Sequence, residues 1–332
     1  MTEEHLFHED LLVREGSYGK TMRTVVLPAL DSCRNDERIQ GYGGRQLACS
    51  VYTGTGANGT VMIVHGFTEC AVKYAEIIYS LIQNGFNVIA YDQRGHGRSW
   101  RDEEIEDLSL THVDAFEDYV RDLECVSRQL LTKMPKPWLL FSHSMGGAVS
   151  GLFLEEHPDV YERAVMSAPM IAPFRYGIPL PIARLMCAVP KAFHKGKKRI
   201  FASKAYSGPE EFETSAATSR ERFEYYDALK ASVLQYQNNG PSYSWLLEAL
   251  NVTGKLLAPG RAERICIPVR IYQAELDSSV LPGPQKAFAD QLKSGRLIPV
   301  KNAKHEIYRS KDEVLVPWWD DVLRFFRAGS PC

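Results

Sequence analysis

The sequence predicts an α/β fold, a mostly parallel, doubly wound sheet with a helical insertion, and three observations carry that prediction. Short apolar runs alternate with helical stretches between residues 60 and 168. One run, Trp138-Leu139-Leu140-Phe141, breaks sharply at Ser142-His143-Ser144-Met145-Gly146-Gly147 and continues as a helix. The alternation then lapses from about residue 171 to 258 and resumes at Val269. Apolar strands separated by helices require parallel pairing with crossover connections. A long interruption with helices of its own reads as a cap over the carboxyl ends of the strands.

The elements follow in order. Residues 1–20 are polar and read as a loosely held arm. Met22 to Leu27 (MRTVVL) and Gln46 to Tyr52 (QLACSVY) read as opening strands. Turn signals stand at 41–44 and 56–59, each rich in glycine. Thr60 to Val64 (TVMIV) and Asn87 to Tyr91 (NVIAY) are apolar throughout, as strands buried on both faces must be. Tyr74 to Asn84 between them has helical spacing and stops at Gly85, and Asp114 to Leu131 reads as an amphipathic helix. After the strand–turn–helix around Ser144 comes Ala164 to Ala168, closed by Pro169. Helical stretches at Ser219 to Leu234 and Ser242 to Thr253 fall in the interruption. Strands at Val269 to Gln273 and Arg296 to Val300, a helix at Pro284 to Leu292 and a closing helix at Val316 to Arg327 complete the pattern. The expected domains are therefore a core of residues 1–170 and 259–332, with 171–258 as the cap.

Bulk properties narrow the class. A chain of 332 residues, 45% hydrophobic and 24% charged, has the balance of a globular protein. A net charge of -2 leaves no basic excess to neutralise phosphates, so nucleic acid is not an expected partner. Seven dispersed cysteines without a CxxC pair point to reduced thiols rather than a disulfide framework. The opening MTEEHLFHED has no apolar signal core, and no stretch nears the roughly 20 apolar residues that span a bilayer. A cytoplasmic location is the expectation, with oligomeric state left open.

Chemistry concentrates at three strand ends. A serine at the apex of a sharp strand-to-helix turn, flanked by small residues, is a nucleophile elbow, here with Ser142 where the pattern G-x-S-x-G has its first glycine. Ser144 needs a base held by a carboxylate. The strand VRIYQ is followed by Glu275 and Asp277, and the strand RLIPV by His305, which supplies acid and base in the order nucleophile, acid, histidine. Glu275 is the alternative acid. Beyond His157, at the end of the elbow's own helix, only His194 and His305 follow, and His194 lies in the basic run 194–199. Two oxyanion donors are expected: the N–H of Met145 after the nucleophile, and that of Phe67 in the loop after TVMIV, where Gly66 permits a close approach. His65 is expected to orient that loop, and His143 to pack.

Taken together, HGFTE, DQRGHGRS, SHSMGG, the Asp277 loop and the His305 loop resemble the α/β-hydrolase superfamily. Within it the chain is similar to the lysophospholipase and monoacylglycerol lipase branch with a serine aminopeptidase S33-type hydrolase domain, over roughly residues 40–328. That resemblance implies Ser144 as nucleophile, Asp277 as acid, His305 as base, Phe67 and Met145 as oxyanion donors, and no metal or organic cofactor. It implies hydrolysis of a lipid-like ester, with a short-chain carboxylesterase or an S33-type aminopeptidase as the alternatives. Glu69, Glu210 or Glu211 would have to provide the acidic pocket of a peptidase. Apolar cap residues Ile178, Leu180, Ile182, Leu185, Met186, Val189 and Phe193 are candidates for an acyl-chain channel. The run 194–199 is a candidate contact for a phosphate headgroup or an anionic membrane surface.

Overall fold

The computed structural model describes residues 13–55 and 57–328. It opens with helices α1 (Tyr18–Thr21) and α2 (Leu27–Cys33), joined by a π-helical turn over Met22–Val26. The expected strand at Met22 to Leu27 is therefore helical. Tyr18, Met22, Val26 and Leu30 are buried at four-residue intervals while Val25 and Leu27 are exposed, so the period is helical once the window widens. Residues 13–20 of the expected arm are packed, with Val13 and Tyr18 buried and the Val13 carbonyl accepting from Arg222 Nη2 at 2.7 Å. Residues 1–12 and Gly56 of the second turn signal lie outside the described residues.

Strand β1 (Arg34–Gln40) was not legible as a strand, because only Ile39 of its seven residues is buried. It pairs antiparallel with β2 (Gln46–Tyr52). Then come β3 (Thr60–Val64), α3 (Ala75–Gln83), β4 (Asn87–Tyr91), β5 (Leu110–Thr111) and α4 (Glu117–Gln129). The elbow joins β6 (Trp138–His143) to α5 (Met145–Glu156), and β7 (Arg163–Ser167) follows. Between β7 and the next large strand lie α6 (Leu180–Pro190), α7 (Arg220–Ser232), β8 (Gly240–Pro241) and α8 (Tyr243–Leu256). The chain ends with β9 (Val269–Ala274), α9 (Pro282–Gln291), β10 (Gly295–Val300) and α10 (Asp312–Arg327).

Among the described residues, eight strands form one sheet in the order β1-β2-β4-β3-β6-β7-β9-β10, while β5 and β8 make a separate short pair. From β4 to β10 every pairing in the large sheet is parallel; β1 and β2 are antiparallel. Successive residues of a strand face opposite ways, and both faces are filled here. Val61, Ile63, Leu139 and Phe141 pack with α3, α10 and the N-terminal helices, whereas Met62, Val64 and Leu140 pack with α4, α5, α8 and α9. Parallel strands present their carboxyl ends along one edge. Ser144, Asp277 and His305 sit on that edge, after β6, β9 and β10.

The segment between β7 and β9 is anchored unevenly. Ala249, Val252 and Leu256 of α8 belong to the main core. Arg222 of α7 is buried and pairs with Glu76 of α3 at 3.0 Å and Asp312 of α10 at 2.8 Å. By contrast α6 leaves Ile182, Leu185 and Val189 exposed.

Close packing at the elbow sets the fold's tightest tolerance. A Cβ on Gly146 would stand 2.1 Å from the Val64 carbonyl oxygen, and one on Gly147 would stand 2.4 Å from the Pro169 Cβ. Both obstacles belong to stiff chain rather than flexible side-chain ends. Gly146→Ala should therefore cost about 1–3 kcal/mol through overpacking, read as a fall in the urea midpoint at unchanged slope. An unshifted midpoint would show that β3 and α5 can separate freely.

Candidate active site

Ser144 adopts φ 51°, ψ −118°, a conformation that L residues rarely take. Its N–H donates to the Ser167 carbonyl at 3.1 Å, and its own carbonyl accepts from Gly147 and Met170 at 2.8 Å each. These bonds fix the strained turn from both sides. Ser142 is fully buried and donates its hydroxyl to the Val165 carbonyl at 3.2 Å, so a serine fits where glycine is usual.

The three predicted side chains meet. His305 Nε2 lies 2.8 Å from Ser144 Oγ, and His305 Nδ1 lies 2.8 Å from Asp277 Oδ2. With Nδ1–H donating to the carboxylate, Nε2 is left to accept the serine proton. Asp277 Oδ1 accepts the backbone N–H of Ser279 at 2.8 Å and of Val280 at 3.1 Å. Burial opposes the Asp277 charge, yet the hydrogen bond and charge of His305, with those two N–H groups, hold its carboxyl below the usual range. Glu275 is exposed and accepts from the Asn302 N–H at 2.9 Å instead.

The expected oxyanion donors border the same point. Met145 is the first residue of α5, so no preceding carbonyl of the helix claims its N–H. A Cβ on Gly66 would come within 3.1 Å of the Ser144 Cβ, which puts the loop carrying Phe67 directly beside the serine. His65 holds that loop: its Nε2 accepts the Gln93 N–H at 2.9 Å, leaving Nδ1–H for the Gly66 carbonyl at 2.8 Å. His143 packs, as expected. It lies 3.0 Å from the Ser167 carbonyl through Nδ1, and burial, partly offset by Glu69, pushes its pKa down to about 4.

Beneath the site lies a charged network that the sequence did not disclose. Glu69 accepts four donors: Gly66 N–H and Tyr74 Oη at 2.6 Å on one oxygen, Tyr308 Oη at 2.6 Å and Lys73 Nζ at 2.9 Å on the other. Lys73 also reaches Glu306 Oε1 at 2.6 Å, and Glu306 accepts from Arg309 at 2.6 Å. Burial alone would raise both carboxyls. Lys73 and His143, with hydrogen bonds from the two tyrosines, hold Glu69 well below the usual range; Lys73 and Arg309 bring Glu306 down to about 2. The loop carrying Phe67 is thus tied through Glu69 and Lys73 to Glu306, the residue next to His305. A carboxylate so fully engaged is not free to receive an amino group, which weakens Glu69 as a peptidase pocket. The one local signal was the four-residue spacing of Glu69 and Lys73.

Ser144 and His305 open into a cleft of about 520 Å³. Its lining joins apolar Phe67, Met170, Trp245 and Leu246 to charged Asp227 and Lys230. Phe67 and Trp245 stack with centroids 3.9 Å apart. Phe174, Tyr176 and Leu246 also line an apolar groove of about 210 Å³ that continues between α6 and α8, past Met186 and Leu250. Among the described residues, Asp102, His112 and Asp114 could hold a metal ion, their ligand atoms lying within 4.8 Å of one another. Asp102 Oδ2 already holds Lys197 Nζ at 2.8 Å.

A family model described as "Serine aminopeptidase, S33" matches residues 55–312. The chain belongs to this α/β-hydrolase family. Lysophospholipase L2 of Escherichia coli (strain K12) is 32% identical over 285 residues, covering 82% of this chain and 81% of that protein. A monoacylglycerol lipase of Mycolicibacterium smegmatis is 25% identical over 297 residues, covering 88% and 97%. The crystal structure of a soluble variant of monoglyceride lipase from Saccharomyces cerevisiae superposes with a TM-score of 0.68 at 18% identity, covering 88% of this chain and 95% of that one. The resemblance read from the motifs holds at the level of family and fold.

In this S33-family chain the buried Glu69 carboxylate fixes the loop that precedes Phe67. Glu69→Gln keeps the size but loses the charge that holds Lys73. Steady-state kinetics on a soluble ester should show kcat down about 10-fold or more with KM little changed, since that loop carries the expected oxyanion donor Phe67. An unchanged kcat would mean that the loop is held by His65 alone.

Proposed function

We propose that this chain is a serine hydrolase of lipid carboxylic esters, with lysophospholipids and monoacylglycerols as its substrates. The observation that carries the reading is the Ser144–His305–Asp277 relay, with both links at 2.8 Å, opening into a cleft that continues as an apolar groove. The names of the two relatives, a lysophospholipase and a monoacylglycerol lipase, support the substrate class.

The reaction follows from the geometry. His305 Nε2 takes the Ser144 proton as Oγ attacks the ester carbonyl carbon, and Asp277 stabilises the imidazolium. The Phe67 and Met145 N–H groups receive the developing oxyanion, helped by the positive end of α5. His305 then protonates the departing alcohol, leaving an acyl-enzyme. Water, deprotonated by the same histidine, releases the fatty acid and restores Ser144. The acyl chain runs along Phe174, Leu246, Met186 and Leu250. In this reading residues 171–258 act as the cap, and α6 is its outermost part.

We further propose that α6 rests on a membrane surface, in keeping with a cytoplasmic, peripheral protein. No helix of the described residues is long and apolar enough to cross a membrane. Instead Ile182, Leu185 and Val189 are exposed on α6, and Phe193 in the turn that follows it is exposed as well, with Phe193 72% and Leu185 61% accessible. The basic run beside it is a smaller anion site than its sequence suggests. Lys197 is paired with Asp102 and Glu104, and Arg199 with Asp107, which leaves His194, Lys195 and Lys198 exposed.

Ser144→Ala should lower hydrolysis of long-chain monoacylglycerol by about 10⁴-fold or more, and Asp277→Asn by about 10³–10⁴-fold, whereas Glu275→Gln stays near wild type. Wild-type kcat/KM should rise with acyl length across p-nitrophenyl esters. Turnover confined to acetate and butyrate would replace this substrate reading with a short-chain esterase. In vesicle sedimentation with anionic lipid, Leu185→Glu combined with Phe193→Glu should abolish binding, and retained binding would remove α6 from the membrane contact.

A further inference from the structure

The face that α7 turns toward Ser144 is charged, although helix faces turned inward are normally apolar. Phe223, Tyr226, Asp227 and Lys230 follow the i, i+3, i+4, i+7 spacing of a single helix face, and all four line the cleft. Asp227 and Lys230 are 8% and 6% exposed, and buried side chains of these types are rare unless they are paired. Their shared partner is Glu210, on the segment before α7. Lys230 Nζ pairs with its carboxylate, and Asp227 Oδ1 accepts its backbone N–H at 3.1 Å. The Glu210 side chain is 43% exposed, so the partner of a nearly buried lysine is held from the solvent side alone.

Fixed opposite charges continue along this lining. Lys73 and Arg309 both pair with Glu306, and all three border the cleft. Aromatic faces already carry cations here: Lys230 Nζ lies 5.2 Å from the Tyr206 centroid, and Lys73 Nζ lies 5.1 Å from that of Tyr226. The lining therefore has two chemistries on different elements. Apolar residues come from α8 and from Pro173, Phe174 and Tyr176, and lead into the α6–α8 groove; charged residues come from α7 and Glu210, and from the Lys73–Glu306–Arg309 cluster. An ester placed on Ser144 with its chain in the groove leaves its alcohol portion for the charged side.

We propose that the α7 face is a headgroup subsite for a zwitterionic phosphodiester. Lys230 takes the phosphate, and Asp227 and Glu210 take the ammonium beside the Tyr226 ring. This rests on the ester-hydrolase reading above and assigns its preferred alcohol as a phosphodiester-linked amine rather than free glycerol. The physical basis is an exchange of ion pairs. A head carrying both charges replaces the single Lys230–Glu210 pair with two, in a site where partial burial strengthens each. A neutral glycerol head offers no charge for such an exchange.

The test compares palmitoyl lysophosphatidylcholine with monopalmitoylglycerol, both at monomeric concentrations, for wild type, Lys230→Met, Asp227→Asn and the more exposed Glu210→Gln. The readout is the ratio of kcat/KM for the two substrates, in which any loss of folded enzyme cancels. The ratio should fall about tenfold for Lys230→Met and several-fold for the two carboxylate variants, and phosphocholine should inhibit wild type competitively but Lys230→Met weakly. A ratio unchanged in all three variants, or a wild type that turns over the monoacylglycerol and leaves lysophosphatidylcholine intact, overturns the subsite. Loss of the ester reading would be seen separately, as an absence of Ser144-dependent turnover on every ester.

Discussion

The backbone at Ser144 is the constraint on which the rest of this molecule depends. A non-glycine residue at φ 51° persists only where its surroundings leave no alternative. Here Gly146 packs against the β3 carbonyls and Gly147 against Pro169, while three backbone bonds engage the serine's own N–H and C=O. Apart from the local bond from Gly147, those contacts need β3, β6 and β7 side by side in the parallel sheet. The same turn lifts the hydroxyl off the sheet edge and starts α5 at Met145, whose N–H no preceding helix carbonyl claims. Strain, sheet order and the position of the Ser144 hydroxyl are thus one arrangement.

Around that turn the site is made rigid by buried charge rather than by apolar packing alone. Glu69, Lys73, Glu306 and Arg309 form a chain of opposite charges from the oxyanion loop to the neighbour of His305. Groups of this kind are costly to bury singly and stable when every lone pair and proton is matched. Glu69 meets that condition with four donors. The arrangement holds two loops from different strands in one register, which a hydrophobic contact, being non-directional, would not do.

The segment between β7 and β9 divides into parts that differ mechanically. Helix α7 is fastened to α3 and α10 through the buried Arg222, and α8 shares the main core. Helix α6 has neither anchor and presents apolar side chains to solvent. The charged lining therefore stands on a helix tied to α3 and α10 by buried ion pairs, while the apolar groove lies against α6, which packs chiefly on α8.

The sequence by itself determined the fold class, the strand–turn–helix at Ser144, and the placing of an acidic loop and a histidine loop after two later strands. Alternating apolar runs, a serine among small residues and an ordered acid and histidine after successive strands are all local signals. It failed where the signal was non-local. MRTVVL looked extended because its helical period shows only over residues 18–30, and β1 was invisible because an edge strand with one buried residue has no apolar pattern. The run 194–199 looked like a free basic patch, since its acidic partners lie about ninety residues earlier in the chain. Only the tertiary structure decided which acid faces His305, how Glu69 and Glu306 share Lys73, and which face of α7 enters the cleft. Those outcomes depend on distances between residues far apart in sequence, and spacing along the chain carries no record of them.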